Sequence, residues 1–112
     1  MRAIEEQLTE EELALFDLLT KKPEIDLTEG ERNKVKATAK SLLKTLKHEK
    51  LVLDWRKRQQ TRADVRVAIE TILDESLPEA YTPDIFEQKS TAIFQHVYES
   101  YYGAGQSIYA AA

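Results

Sequence analysis

The chain has 112 residues and a formal net charge of −4, with 42% hydrophobic and 32% charged residues but only three glycines and three prolines. This length and composition are typical of one helix-rich globular domain, and the lack of cysteine excludes disulfide scaffolds and thiolate metal sites. No apolar run approaches the roughly 20 residues that cross a bilayer, so we expect a cytoplasmic protein without a membrane segment.

Charge is distributed in three blocks along the chain. Residues 1–31 have a net charge of −7, residues 32–66 of +9 and residues 67–112 of −6. This pattern is typical of charge pairing between elements or of a surface directed at a charged partner. Residues 2–7 have the character of the end of an upstream element, so Met1 is either a native start or the first residue of a fragment.

The first two predicted helices begin with the same capping pattern. Thr9 with Glu12, and Thr28 with Glu31, have the spacing at which a threonine hydroxyl and a glutamate carboxylate satisfy each other's backbone amides. Leucines dominate the first helix, and lysines line the flank of a narrow apolar stripe in the second. The predicted helices cover residues 10–20 and 29–48.

The third predicted helix covers residues 54–76 as one continuous rod, with apolar residues at spacings of three, four and seven. Thr61 and Asp64 have a spacing that would instead mark a break, but the continuous helix is favoured. The fourth helix starts after Thr82, an N-cap residue that precedes Pro83 at the first helical position, where its missing amide costs nothing.

The fourth helix is predicted to end at Gly103, a residue type typical of the position that follows a helix. No strand pattern competes with the helices except for short stubs, and the connecting loops are short. We therefore expect an all-α fold, a small antiparallel bundle of about four helices. The predicted domain covers residues 1–103, and residues 104–112 are predicted to form a flexible tail.

The string PDIFEQK, residues 83–89, contains the acid and the E-x-K pattern of many metal-dependent nucleases. Those nucleases hold their acids on strands, with many residues between the aspartate and the E-x-K. Here all seven residues fall on one helix, and Lys89 lies about 140° around the axis from Asp84. A plain helix start, enriched in acids as the helix dipole favours, explains the string better.

Metal and nucleotide chemistry have no convincing candidates either. The glycines do not form a phosphate-binding loop, and no glutamate precedes a histidine by three residues, as di-metal bundles require. His96 and Glu99 share a helix face and are expected to form a solvated or structural pair. The sequence therefore predicts no catalytic residue, no bound cofactor and no metal in this chain.

The stretch DWRKRQQTRADVR, residues 54–66, is the unusual feature of the sequence. On a continuous helix its arginines fall in the same sector as its tryptophan. In one interpretation the arginine stems cover the core while the guanidinium groups reach outward to solvent or pair with the glutamate-rich first helix. In the other they form a contact surface, since Trp and Arg are enriched at interface hot spots. With the C-terminal tyrosines as a second anchor, the candidate interface residues are Trp55, Arg58, Arg62, Arg66, Tyr98, Tyr101 and Tyr102.

Two classes of partner fit this candidate interface. The phosphate backbone of DNA would use the positive middle of the chain. Most nucleic-acid modules are basic overall, however, whereas this chain is acidic on both flanks of its basic segment. A protein partner is therefore favoured, and a DNA-contacting module stays the alternative.

Four stretches carry a family resemblance: LTEEELALFDLL (8–19), LVLDWRKRQQTRADVRVAIETILDE (51–75), LPEAYTP (77–83) and FEQKSTAIFQHVYESYYG (86–103). The most specific of them is the L-D-W-R-K-x-Q-x-x-R-A-x-V-R run at residues 53–66. In this order, over nearly the whole chain, they resemble the C-terminal helical domain of the restriction subunit of type I restriction-modification enzymes.

The resemblance implies a function that spacing alone does not. In that family, ATP and Mg serve nuclease and DNA-translocating motor domains, and the C-terminal helices dock the motor onto the methyltransferase core of modification and specificity subunits. The chain would then be a non-catalytic fragment that meets DNA only through the complex. The family's catalytic motifs lie outside the matched stretches, so the resemblance implies no active residue here.

Overall fold

The computed structural model describes residues 6–110. Its helices and strands are α1 (Glu10–Thr20), α2 (Glu29–Thr45), a π-helical turn (Leu46–Lys50), a 3₁₀ turn (Trp55–Lys57), α3 (Gln59–Ser76), α4 (Pro83–Ser100), β1 (Tyr101–Gly103) and β2 (Gln106–Ser107). The predicted all-α bundle is confirmed. Residues 1–5, which include most of the segment expected to end an upstream element, and residues 111–112 lie outside the described residues.

The helix starts follow the predicted caps. The Thr9 hydroxyl accepts from the Glu12 amide at 3.2 Å, and the Glu12 carboxylate accepts from the Thr9 amide at 2.9 Å. The same pair of bonds joins Thr28 and Glu31 at the start of α2. At the start of α4 the Thr82 hydroxyl accepts from the Ile85 amide. These bonds satisfy amides that have no partner within a helix, so they set where each helix begins.

The four helices pack in a closed ring around one apolar core: α1 contacts α2, α2 contacts α3, α3 contacts α4, and α4 returns to α1. Each helix buries one apolar stripe, which amphipathic helices in a bundle must do. The core residues that no solvent reaches are Leu15, Phe16, Leu19, Val35, Ala39, Leu42, Leu46, Trp55, Val65, Ile69, Leu73, Ile93 and Val97.

The predicted continuous helix over residues 54–76 is wrong at its first turn. Asp54 has a φ of 58°, in the left-handed region, and Arg58 is extended, so the 3₁₀ turn is separated from α3. The Thr61 hydroxyl donates to the carbonyl oxygens of Trp55 at 2.6 Å and Arg58 at 3.1 Å. Thr61 thus joins the turn to α3, and the helix breaks at Arg58, three residues before the position that the spacing of Thr61 and Asp64 indicated.

The predicted tail is instead a hairpin over the described residues 104–110. Strands β1 and β2 pair antiparallel, and the Ile108 amide donates to the Ser100 carbonyl at 2.9 Å. The Ala104 amide donates to the Leu51 carbonyl at 3.0 Å, which ties the hairpin to the loop before the 3₁₀ turn. Backbone hydrogen bonds to the bundle thus continue past residue 103, where the domain was predicted to end.

Candidate functional site

Trp55 does not lie on the surface, which corrects its assignment as an exposed anchor. The side chain is 0% exposed and meets the rings of Phe94 and Tyr98 edge to face, with centroids at 6.3 and 5.9 Å. Its indole nitrogen donates to the Tyr101 carbonyl at 3.0 Å. The left-handed backbone at Asp54 directs the Trp55 side chain inward. Trp55 therefore joins the 3₁₀ turn, α4 and the hairpin.

Tyr101 is also buried, so it is not part of an exposed cluster with Tyr98 and Tyr102. Its hydroxyl donates to Glu11 Oε1 at 2.8 Å, which connects the C-terminal hairpin to α1. Burial and the hydrogen bond to Glu11 both raise the pKa of the Tyr101 phenol. Among the three candidate tyrosines, only Tyr98 and Tyr102 present rings to solvent, at 38% and 42% exposure.

Arg56 is the residue that connects these two exposed tyrosines. Its guanidinium carbon lies 4.9 Å from the ring centroid of Tyr102 and 5.6 Å from that of Tyr98. One of its nitrogens, Nη1, donates to the Tyr98 carbonyl at 3.1 Å. A cation held over two ring faces and fixed by a backbone bond has few rotamers left to lose on binding a partner.

The other arginines continue this surface along the start of α3. Arg58 Nη2 donates to the Leu53 carbonyl at 3.1 Å, and Arg62 Nη1 donates to the Arg56 carbonyl at 2.7 Å. Arg66 lies 5.5 Å over the ring of Phe94, a neighbour of Tyr98. The structure thus brings together one set of side chains, called here the arginine surface: Arg56, Arg58, Arg62, Arg66, Tyr98 and Tyr102.

Ion pairs divide the positive segment into two parts. Glu6 pairs with Lys36 at 2.9 Å and with Arg32, and the bond from Lys36 contributes most to lowering the Glu6 pKa. Lys40 of α2 pairs with Glu12, and Lys47 of the π-helical turn pairs with Glu11. The acidic N-terminal block therefore pairs with part of the positive segment, namely Arg32, Lys36, Lys40 and Lys47.

The four arginines of the arginine surface form no ion pair with any residue in the range 6–110. Three of them donate to backbone carbonyls, and each guanidinium has further N–H groups for a partner. The predicted pairing with the glutamates of α1 is absent among these residues, because those glutamates face α2 and the hairpin. Lys34 and Lys44 of α2 also form no ion pair within residues 6–110, but the four arginines differ from them because each is held by a backbone carbonyl or an aromatic ring.

The nuclease-like string has no catalytic geometry. Lys89 is 1% exposed, and its Nζ donates to the carbonyl oxygens of Lys21 and Pro23, where α1 has ended. Burial lowers the pKa of this amine. Asp84 and Glu87 are exposed on the other side of the helix start. Lys89 therefore caps backbone groups that have no helical partner, a role that sequence spacing did not indicate.

His96 takes a structural position. Its Nε2 lies 3.2 Å from the Tyr109 hydroxyl and its Nδ1 lies 3.5 Å from the Ser100 hydroxyl, while Glu99 accepts from Gln95 instead. Burial lowers the His96 pKa, against the opposing effect of Glu99. Within residues 6–110, no three His, Asp or Glu side chains lie close enough together to hold a metal ion.

None of the helices in the described part of the chain has both the length and the apolar character that crossing a membrane requires.

Comparisons with known proteins bear on the family of the chain. Residues 1–101 match the family model of the C-terminal region of endonuclease subunits like that of the type I restriction enzyme HindI. A putative type I restriction enzyme MjaIXP endonuclease subunit from Methanocaldococcus jannaschii is 35% identical over an alignment of 86 residues, and the alignment covers 71% of this chain and 8% of that protein. The chain thus corresponds to a small part of its relative's length. No solved structure matches significantly.

Proposed function

The chain belongs to the family of C-terminal domains of type I restriction enzyme endonuclease subunits, and from this premise we propose that it is a non-catalytic assembly domain. It holds the DNA-translocating endonuclease subunit to the methyltransferase core of modification and specificity subunits. ATP and Mg act in other parts of the parent subunit. The arginine surface, with its unpaired cations and exposed tyrosines, is the contact region.

One observation carries this proposal. The N-terminal acids pair with Lys36, Lys40 and Lys47, whereas the four arginines within residues 56–66 have no carboxylate partner among the described residues. Their guanidinium groups are held by backbone carbonyls or by an aromatic ring, so they are ordered before any partner binds. Arginine and tyrosine are both enriched at protein interfaces. An ordered set of arginines beside exposed tyrosines therefore supports a protein contact.

Contact with the DNA backbone is the alternative use of the same surface. The row of unpaired arginines favours it, because each cation that neutralises a phosphate releases a bound counterion. Such binding falls steeply as the salt concentration rises. A band-shift titration at two salt concentrations separates the alternatives, since a domain that binds no duplex even at low salt leaves the DNA alternative unsupported.

The double substitution Arg58→Glu and Arg62→Glu tests the proposal. We expect the affinity of the domain for the purified methyltransferase core to fall by at least about tenfold, because two cations at the contact become anions. Isothermal titration calorimetry measures the affinity. Urea unfolding, followed by circular dichroism, measures whether the variant remains folded.

A matched control is Lys34→Glu with Lys44→Glu, which makes the same charge change at two exposed positions of α2. The control should bind like the parent chain. If the arginine variant is folded and also binds like the parent chain, the arginine surface is not the contact.

A further inference from the structure

The arginine surface has a composition that specifies the chemistry of its partner. We infer that it receives an acidic segment of a protein, which places a carboxylate on Arg56 and an apolar side chain on Leu53. This inference rests on the proposed assembly function and deepens it, because it states what the partner must present.

A groove beside Arg56 provides the place for the carboxylate. It has a volume of about 270 Å³ and is lined by Asp54, Arg56, Lys57, Tyr98 and Tyr102. Arg56 is fixed there between the two tyrosine rings, with one nitrogen engaged by the Tyr98 carbonyl. Its other N–H groups are free to form charge-assisted hydrogen bonds, which a planar guanidinium makes best with a carboxylate or a phosphate.

Two exposed apolar residues, called here the apolar patch, directly precede Asp54 of the groove in the chain. Leu53 is 66% exposed and Val52 is 41% exposed, and Arg58 Nη2 donates to the Leu53 carbonyl. The loop that carries them is held at both ends, because the Trp55 amide donates to the Val52 carbonyl and the Ala104 amide to the Leu51 carbonyl. Covering exposed aliphatic side chains with the apolar surface of a partner stabilises the complex, because it removes apolar area from water. A loop that is already held in place loses little conformational entropy on binding.

The exposed Leu53 favours a protein over a nucleic acid, because a phosphate backbone gains nothing from an aliphatic side chain. Asp54, the acid that lines the groove, is paired with Lys57 at 3.5 Å, so it does not discriminate between a carboxylate and a phosphate. A single carboxylate can bind Arg56 while an apolar neighbour in the same segment covers Leu53. A region that combines cationic, aromatic and aliphatic groups is therefore complementary to a protein segment that carries both acidic and apolar side chains.

Two independent substitutions test this inference with the purified methyltransferase core as the probe. Arg56→Gln removes the cation but keeps a polar side chain at this position. Leu53→Asp places an anion in the apolar patch at an exposed position, where the fold does not depend on the side chain. Each substitution should weaken binding by at least about tenfold.

Controls with the same chemistry separate local from general effects. Leu53→Met keeps an apolar side chain, and Lys34→Gln removes one cation from an exposed position of α2. Both should bind within about twofold of the parent chain, as surface changes away from a contact usually do. Circular dichroism of every variant reports whether it is folded.

The outcomes distinguish this inference from the function on which it rests. If the parent chain binds the core and both Arg56→Gln and Leu53→Asp bind equally well, the acidic segment is refuted while the assembly function stands. If the parent chain does not bind the core, both fail. A short DNA duplex gives the third outcome. If the duplex binds the parent chain, and if this binding is reduced by Arg56→Gln but unchanged by Leu53→Asp, the surface binds a nucleic acid and the inference is overturned.

Discussion

Replacing Trp55 with alanine should lower the free energy of unfolding by about 3–5 kcal/mol, the range for removing a large buried aromatic side chain. The indole is fully buried against Phe94 and Tyr98, and its nitrogen satisfies the Tyr101 carbonyl. The substitution therefore leaves a cavity and an unpaired carbonyl at the junction of three elements. Urea unfolding, followed by circular dichroism, measures the change.

Trp55→Phe is the matched control for this prediction. It keeps a ring in the cavity but removes the N–H donor, so it should cost less than alanine, with about 1–3 kcal/mol from the carbonyl that loses its partner. An exposed interface anchor would behave in the opposite way, losing affinity for a partner without losing stability. If Trp55→Ala unfolds at the same urea concentration as the parent chain, the buried position of this side chain is wrong.

Replacing Gly103 with alanine should cost roughly 2–5 kcal/mol, the sum of strain at positive φ and local overpacking. Gly103 has a φ of +103°, and an added Cβ would lie 2.3 Å from the Val52 carbonyl oxygen and 3.2 Å from Trp55 Cδ1. The first neighbour is backbone, which cannot rotate away. The hairpin and the loop before the 3₁₀ turn must therefore separate, and urea unfolding should detect the loss.

Gly105 offers a control two residues away. It also has a positive φ, of +82°, but an added Cβ would have no neighbour within 4 Å. Gly105→Ala should therefore cost only the conformational part, about 1–2 kcal/mol. Equal losses in the two variants would show that the close approach between Gly103 and the Val52 carbonyl does not contribute to stability.

The sequence predicted the parts of the fold that local chemistry determines. The capping boxes at Thr9 and Thr28 set the starts of α1 and α2, and the N-cap at Thr82 sets the start of α4, because the cap residues are neighbours in sequence. Each helix also buries the stripe that its apolar spacing indicated. These features depend on contacts three or four residues apart, so one sequence is enough to find them.

The candidate site was predicted only in part, because its geometry depends on long-range contacts. A helical wheel placed Trp55 beside the arginines, but the left-handed Asp54 ends the helical period before α3 begins. The sequence did not indicate Arg56, because its contacts with Tyr98 and Tyr102 join residues more than forty positions apart. Of the residues predicted at the interface, the arginines and two tyrosines lie together, and Trp55 and Tyr101 are core.

The charge blocks were informative but ambiguous without coordinates. Either internal pairing or a partner surface would have explained the positive middle of the chain, and the structure contains internal pairing for part of it. Lys36, Lys40 and Lys47 pair with Glu6, Glu12 and Glu11, whereas the arginines that follow have no such partner among the described residues. Composition could not separate these groups, because pairing depends on which helices are neighbours.

If this domain alone binds the methyltransferase core, sedimentation velocity of the two purified components will detect the complex directly. We expect the domain to co-sediment with the assembled modification and specificity subunits and the complex to weaken as salt rises, because exposed charges contribute to the contact. Separate sedimentation of the two components at low salt, with the domain folded and in excess, would show that the domain does not bind the core by itself.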